Sequence, residues 1–356
     1  MTDDAQAFFF DLLDTPSPTG FEAPGQRVWA AYLRNHADRV EADSYGTAWA
    51  TVEGTAEEAP RLMFDAHVDE IGYMVRHITS DGFLYINRIG GSDRAIARGL
   101  RVRVLGDDGP VTGVIGNTAI HLRDRKDESI PKVHELFVDI GADSDEDVAE
   151  RGVRVGHPMV FDVAPTTLTD SRITARAIDN RLGGFIIAQA IERLADDRPQ
   201  WTTLAANSVQ EEIGGHGAKM ITHRLNPDVA LAFDVTHATD SPGIDAKQHG
   251  DVKMGDGPAI THGTSTHPAV VQRLMDVADA EGIPLQHEPS ARRTGTDTDS
   301  IFKARSGVPS ALLSVPLRYM HSTVEVVDTE DIEQCIRLFV AFARSLSPDD
   351  RFGVKI

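Results

Sequence analysis

The chain alternates between short apolar runs and segments whose apolar residues recur at helical spacing. The apolar runs are of strand length and are bounded by glycine, proline or acidic residues, which is typical of buried strands. Strands are predicted at 48–52, 61–67, 201–209, 229–233 and 310–315, and helices at 4–13, 22–36, 186–195, 268–281 and 329–346. Strands that alternate with helices in this way predict an α/β sheet with helices on both faces.

Residues 73 to 165 show a different pattern, in which short β-like segments alternate with glycine and aspartate turns. Strands are predicted there at 83–86, 101–105, 111–116, 137–140 and 159–161. Such short strands predict a small all-β barrel or sandwich, and the charged segment 124–128 is expected to be an exposed loop. We therefore predict a mixed-sheet α/β/α domain made of residues 1–72 and 166–356, with a barrel-like domain inserted at 73–165.

Histidine and acidic side chains recur where the predicted strands end. Each is ordinary by itself because loops are polar, but sites in α/β folds lie outside the carboxyl ends of the strands. Carboxylates crowded together also repel and raise each other's pKa unless a cation compensates them. The residues concerned are His67, Asp69, Asp179, Glu211, Glu212, Asp234 and, later in the chain, His321. Their recurrence predicts a metal site.

Glu211 and Glu212 are adjacent in sequence. Neighbouring side chains of an extended segment point in opposite directions, so one of the two can bind a metal while the other faces a reacting water. Nitrogen and oxygen ligands without thiolate suit Zn, Co or Mn. We expect a catalytic ion rather than a structural one, because the chain has no cysteine cluster and a hydrolytic site keeps a position open for water.

Composition narrows the range of partners. The 356 residues carry a formal net charge of −20, which argues against nucleic acid and anionic membrane, since both require a basic face. No run of about 18 apolar residues predicts a membrane span, and the acidic start of the chain does not resemble a secretory signal. The one cysteine, Cys335, lies in a predicted amphipathic helix and excludes an internal disulfide. A cytoplasmic protein is expected.

Six segments, in order along the chain, resemble the tetrahedral (TET) aminopeptidases, a family of co-catalytic di-metal zinc peptidases. The resemblance covers nearly the whole chain and includes the turn at 18–22 and the small all-β region. Two departures concern the substrate pocket: Thr298 and Asp299 stand where the family more often has small residues, and Gly215 and His216 replace a pair that varies. The six segments are 66–72, 177–184, 209–214, 233–236, 295–299 and 315–322.

For the site, the resemblance implies two divalent metal ions per chain, Zn or Co with Mn as an alternative, held by five side chains. It implies that Asp179 bridges the two ions. His67 and Asp234 would complete one metal site, and Glu212 and His321 would complete the other.

For catalysis, the resemblance implies Glu211 as the general base and Asp69 as the partner that orients His67. The expected function is a metal-dependent aminopeptidase acting on peptides with a free N-terminus. The residues alone leave two alternatives open: a non-catalytic metal-binding scaffold, and a deacylase or other hydrolase with the same di-metal centre. The preferred N-terminal residue is open as well, as are the roles of His216, His237, Arg318 and the loop 295–299.

Assembly is the last property that the resemblance implies. The family commonly forms a tetrahedral dodecamer built from dimers, with the active sites facing an inner cavity and the small β domain in the dimer contact. A homo-oligomer of this kind is expected here, with a simple dimer as the alternative.

Overall fold

The computed structural model of the chain describes residues 1–123 and 129–354. The segment 124–128, predicted as an exposed loop, lies outside the described residues. Strands and helices alternate in the described part much as the sequence pattern predicts. Within those residues, every helix is too short or too polar to cross a membrane.

Capping residues set where several helices begin. The hydroxyl of Thr2 accepts the N–H of Ala5 at the start of the first helix, and the carboxylate of Asp328 accepts that of Glu330 at the start of the last. The helix predicted at 268–281 has those bounds and begins with a proline, which needs no N–H partner there. The helices are α1 (Asp3–Asp14), α2 (Ala23–Leu33), α3 (Asp145–Glu150), α4 (Ile178–Asp196), α5 (His216–Leu225), α6 (Ala246–His249), α7 (Pro268–Glu281), α8 (Thr298–Ile301) and α9 (Thr329–Ser345).

The strands match the predicted apolar runs and add several short ones. The strands are β1 (Arg39–Ala42), β2 (Ala48–Val52), β3 (Arg61–His67), β4 (Gly72–Ile78), β5 (Leu84–Ile89), β6 (Arg101–Gly106), β7 (Gly109–Ile115), β8 (Phe137–Asp139), β9 (Pro158–Phe161), β10 (Thr166–Thr169), β11 (Arg172–Ala175), β12 (Thr202–Ser208), β13 (Val229–His237), β14 (Ala259–Gly263), β15 (Gln286–Ser290), β16 (Ser310–Leu317) and β17 (Glu325–Asp328). The prediction that β13 ends at Phe233 is wrong. Because its later residues stay paired with β16, Asp234 lies inside the strand.

One large sheet forms the centre of the molecule. Its eight strands have the order β1-β2-β12-β3-β13-β16-β14-β15. The four strands β12, β3, β13 and β16 run parallel, so their carboxyl ends meet at one edge. In this register the last residue of β3, His67, lies beside Ser208, the last residue of β12. The parallel part of the sheet therefore delivers its end residues to one place.

Side chains of the central strands alternate between two packed faces. On β3, Phe64 and Ala66 lie in the core beneath α1, α4 and α9, whereas Met63 lies in the second core beneath α5 and α8. A strand buried on both faces reads as a continuous apolar run, as β3 does in the sequence. The predicted α/β fold with helices on both faces is confirmed.

Gly183 allows α4 to lie close against the sheet. A Cβ atom there would lie 2.7 Å from the Cβ of Ala66 and 2.6 Å from Cδ1 of Phe233. No side chain fits in that space, so glycine is required for α4 to approach β3 and β13. At the start of α4, Asn180 donates a side-chain N–H to the backbone oxygen of Phe233 at 3.0 Å, and Asp179 lies 3.3 Å from His67, the last residue of β3.

The inserted strands close into a barrel in the order β4-β5-β8-β7-β6-β9. The barrel has its own apolar core, which includes Tyr73, Val104 and Met159. The predicted barrel-like all-β unit is confirmed. Its predicted boundaries, at 73 and 165, stay a prediction, as does its role in dimerisation.

A small three-stranded sheet, absent from the sequence predictions, lies next to the carboxyl end of β16. It has the antiparallel order β10-β11-β17. Ala175, at the end of β11, pairs with Glu325, at the start of β17. On its other side, β17 forms a bridge between Val326 and Arg318. The small sheet therefore brings the segment that leads to Asp179 next to the loop after β16.

Candidate metal centre

The side chain of His67 is buried at the end of β3 and faces carboxylates from two neighbouring elements. Its Nε2 atom lies 3.3 Å from Oδ1 of Asp179 and 3.8 Å from Oδ1 of Asp234. The Glu211 carboxylate is also 3.8 Å away. The start of α4, the segment after β12 and the interior of β13 thus each bring one carboxylate to the same imidazole nitrogen.

A second group forms around the other oxygen of Asp179. Nε2 of His321 lies 3.3 Å from Oδ2 of Asp179 and 3.4 Å from Oε1 of Glu212. Each oxygen of Asp179 therefore faces a different histidine. That arrangement suits a carboxylate shared between two cations.

Two sets of donor atoms result, and they share Asp179. One set is His67, Asp179 and Asp234, and the other is Asp179, Glu212 and His321; the donor atoms within each set lie within 4.8 Å of one another. Glu211 belongs to neither set, although its carboxylate lines the cavity over both. The five residues predicted as metal ligands lie together, although they are distant in sequence.

Burial sets the electrostatics of these groups. Burial raises the pKa of Asp234 well above its ordinary value, and it also raises that of Glu212. Burial acts against the charged forms of His321 and Asp179 as well and is the largest single effect on each. Hydrogen bonds and opposite charges together outweigh it, from Asp179 and Glu212 for His321 and from His321 and His67 for Asp179. They raise the pKa of His321 to about 11 and lower that of Asp179. Uncompensated, such a cluster of buried carboxylates is unfavourable.

The donor set fits divalent cations. Along the described chain, neither lysine nor arginine forms an ion pair with Asp179, Glu212 or Asp234, whose charged partners are the two histidines. Three carboxylates against two imidazoles leave the buried site short of positive charge. Nitrogen and oxygen donors without thiolate are those that Zn, Co and Mn accept.

Comparison with known proteins places the chain in a family. A sequence profile described as M42 glutamyl aminopeptidase matches residues 46–338. Over 347 residues the chain is 35% identical to the lysyl aminopeptidase of Pyrococcus furiosus, which covers 95% of this chain and 96% of the relative. The chain belongs to the M42 family of aminopeptidases.

Solved structures agree with the M42 assignment. A TET aminopeptidase from a marine sediment Thaumarchaeota archaeon superposes with a TM-score of 0.91 at 31% identity, covering 97% of each chain. The Pyrococcus horikoshii TET1 peptidase, which can assemble into a tetrahedron or a large octahedral shell, gives a TM-score of 0.86 at 30% identity, covering 96% of this chain and 100% of that one. The predicted resemblance to TET aminopeptidases is confirmed, and this M42 protein is a peptide hydrolase.

Asp69 contacts both His67 and the backbone of the Glu211 segment. Nδ1 of His67 lies 3.1 Å from the backbone oxygen of Asp69 and 3.5 Å from its Oδ1. The same carboxylate accepts the N–H groups of Glu211, at 2.9 Å, and of Glu212, at 3.2 Å. Burial opposes its charge, but these contacts outweigh burial and lower the pKa of Asp69.

Glu325 is a buried residue of the site that sequence reasoning missed. Its Oε1 accepts the N–H of His321 at 2.8 Å, and its Oε2 accepts the N–H of Asp179 at 3.2 Å. Burial, with the nearby charge of Asp179, raises the pKa of Glu325 well above its ordinary value. Its one signal in the sequence is an acidic residue four positions after His321 in an apolar strand.

Glu22, also missed, holds the segment before Glu211. Its Oε1 accepts the N–H of Gly20 at 2.7 Å and the N–H of Gln210 at 3.2 Å. Gln210 has a φ of 59°, a conformation that non-glycine residues rarely adopt. The turn predicted at 18–22 therefore has a positional role, which its proline and glycine pattern could not show.

Glu70, next to Asp69 in sequence, points away from the donor sets. It forms buried ion pairs with Arg176 and Arg181, and its Oε1 accepts the N–H of Ser17 at 2.9 Å. Its charge is therefore compensated by arginine, unlike the charges of Asp179 and Asp234. Adjacent carboxylates after one strand thus have separate environments.

A cavity of about 600 Å³ lies over the donor sets. Gly295, Thr296 and Asp299 of the loop 295–299 line it, as do His237, Arg293, Lys303 and Met320. His216 instead lines a neighbouring cavity, and Arg318 forms an ion pair with Asp240 at 2.6 Å. Of the residues with open roles, His237 and the loop therefore face the donor sets.

The barrel reaches the donor sets through two glycines. A Cβ atom on Gly90 would lie 3.1 Å from Oε2 of Glu212, and one on Gly91 would lie 2.5 Å from Nδ1 of His321. Only backbone fits against the second donor set at this point. The inserted unit therefore forms part of the wall of the site, which sequence reasoning also missed.

We predict that Gly91→Ala weakens metal binding. The new methyl group would displace the His321 ring from Asp179 and Glu212, and changes of this kind around a metal ligand typically cost about 10–100-fold in affinity. Metal titration of the metal-free protein measures the loss. Gly353→Ala is the control, because a Cβ there meets nothing within 4 Å, and equal affinities in the two variants would contradict the prediction.

Proposed function

We propose that the chain is a two-metal aminopeptidase that removes the N-terminal residue of peptides with a free amine. The arrangement around Asp179 is the main support: its two oxygens face His67 and His321, each at 3.3 Å. A carboxylate between two imidazoles and two further carboxylates is a donor set for a pair of cations. Membership of the M42 family supplies the reaction class.

In this proposal two divalent ions, Zn or Co with Mn as an alternative, would be held by five side chains, and Asp179 would be shared between them. His67 and Asp234 would complete one site, and Glu212 and His321 would complete the other. When bound, such a pair of ions lowers the pKa of water and polarises the peptide carbonyl.

Glu211 is the proposed general base. Burial raises its pKa to about 8, with the charge of His67 acting against the rise and the nearby carboxylates of Glu212 and Asp179 adding to it. Because Glu211 belongs to neither donor set and lines the cavity over both, its carboxylate is placed to accept a proton there. Glu211 takes the proton of the attacking water at a carboxylate oxygen and passes it to the nitrogen of the departing amine.

Asp69 is proposed to position both partners of this step. Its contacts with Nδ1 of His67 fix the ring so that Nε2 faces the donor set. Its two carboxylate oxygens accept the backbone N–H groups of Glu211 and Glu212 and so fix that segment. One buried carboxylate would thus hold His67 at the end of β3 and the segment of Glu211 and Glu212 in fixed positions relative to each other.

For assembly, we propose a tetrahedral dodecamer with the barrel region in the dimer contact, and a dimer as the alternative. The Pyrococcus horikoshii relative, at 30% identity, can assemble into a tetrahedron. The proposed location is the cytoplasm, with which the free, buried Cys335 is consistent.

Glu211→Gln is expected to keep its metal ions and lose turnover. The amide cannot accept the proton of water, and general base catalysis contributes roughly 10²–10⁴-fold. Elemental analysis together with kcat measures the two effects. Glu212→Gln is the matched comparison, and this variant should lose both metal and turnover. A Glu211→Gln enzyme with near-normal kcat would remove Glu211 from the mechanism.

A substrate panel tests the aminopeptidase activity itself. We expect aminoacyl-p-nitroanilides to be cleaved and their N-acetylated analogues to resist cleavage, because the enzyme needs the free amine. Release of p-nitroaniline is the measurement, with metal-free protein as the control. Release of acetate from the N-acetylated compounds would indicate a deacylase instead.

The assembly is tested by light scattering after size exclusion. We expect a mass twelve times that of the chain. A species of two chains would support the dimer, and a monomer would contradict both forms of assembly.

A further inference from the structure

We propose that Glu325 is a positioning residue that fixes Asp179 and His321 relative to each other, without itself binding metal. The inference rests on the ligand set proposed above. It gives a role to a buried carboxylate that belongs to neither donor set.

The small sheet places Glu325 between the two ligands. It is the first residue of β17 and pairs with Ala175, four positions before Asp179. The next residue, Val326, exchanges two backbone hydrogen bonds with Arg318, three positions before His321. A side chain at the start of β17 is thus next to both ligand-bearing segments.

Its two oxygens are used separately. Oε1 accepts the N–H of His321 at 2.8 Å and Oε2 accepts the N–H of Asp179 at 3.2 Å. The residue is 2% exposed, and no lysine or arginine of the described chain forms an ion pair with it. A buried carboxylate without a cationic partner is costly unless it is hydrogen-bonded. The hydrogen bonds that compensate Glu325 come from the backbone N–H groups of two proposed ligands.

Both segments adopt backbone conformations that need such support. His321 has a φ of 61°, Tyr319 a φ of 60°, and Ala177 a φ of 56°. Residues with a Cβ are disfavoured there unless surrounding contacts hold them. The N–H groups of His321 and Asp179 donate to Glu325 and are held by it in these turns, so loss of its carboxylate should loosen the two ligands relative to each other.

The consequence is unequal for the two proposed metal sites. The site of Glu212 and His321 contains both residues that Glu325 holds, whereas the site of His67 and Asp234 contains only Asp179. Loss of Glu325 should therefore weaken metal binding at the site of Glu212 and His321 much more than at the site of His67 and Asp234. A general loss of stability would produce no such difference.

Glu325→Gln tests the role, because the amide replaces one acceptor oxygen with a donor that faces a backbone N–H. We expect one of two Zn equivalents to bind about 10–100-fold more weakly, while the other changes by less than about tenfold. Chelator competition on the metal-free protein measures both affinities, and circular dichroism checks that the variant is folded. Unchanged affinities, or equal losses at both sites, would overturn the proposal.

Asp331→Asn is the matched control. Asp331 is also a buried carboxylate whose two oxygens accept backbone N–H groups, of Gly255 at 2.7 Å and Gly257 at 2.8 Å. It contacts none of the proposed ligands in the described chain. We expect this variant to lose thermal stability and keep both Zn affinities. If Asp331→Asn also lowered the Zn affinity of one site, the effect of Glu325 would be a general effect on the structure and the proposal would be wrong.

Glu325→Asp covers the case in which the amide variant does not fold. It keeps the charge but is one methylene shorter, so it can hold only one of the two N–H groups. A smaller loss at the same single ion is expected, and wild-type binding of both ions would overturn the proposal. These measurements need no turnover, so absence of aminopeptidase activity would contradict the proposed function and leave the role of Glu325 to be decided by metal binding.

Discussion

The structure depends on the burial of like charges at the edge of a parallel sheet. Asp179, Glu212 and Asp234 share one small region, and within residues 1–123 and 129–354 their ion-pair partners are two imidazoles. Burial makes every additional negative charge there more costly, and cations are the direct means of compensation. Nearby, Glu70 is buried as well but is paired with arginines. Arginine therefore compensates the charge of Glu70, whereas Asp179, Glu212 and Asp234 are candidates for binding metal.

A second group of carboxylates holds backbone instead of cations. Asp69, Glu22 and Glu325 accept N–H groups of the segments that carry Glu211, Glu212, Asp179 and His321. Those segments include left-handed residues such as Gln210 and His321, which need external contacts. The geometry of the centre is therefore set as much by acceptors of backbone hydrogen bonds as by the strands that deliver the donor atoms.

Much of this could be predicted from the residues. Apolar periodicity located the central strands and the long helices, because burial on both faces leaves an unmistakable run such as that of β3. Recurrent histidine and acidic residues after those runs predicted a metal site, and the ligand set, which the resemblance implied, stays a prediction. The short strands β11 and β17 were missed, since four residues of mixed polarity have no distinctive period. Glu22 and Glu325 were missed with them, because their partners are backbone groups, which have no sequence signature.

The sequence by itself determined the fold class, the barrel-like insertion and the residue types of the centre, because each leaves a local pattern of polarity. Tertiary structure alone decided which oxygen of Asp179 faces which histidine, that Asp234 lies within its strand, and that Gly90 and Gly91 of the barrel close the wall. Those features arise from strand register and from the close approach of distant segments. No local pattern of side chains encodes a distance between residues that are far apart in sequence.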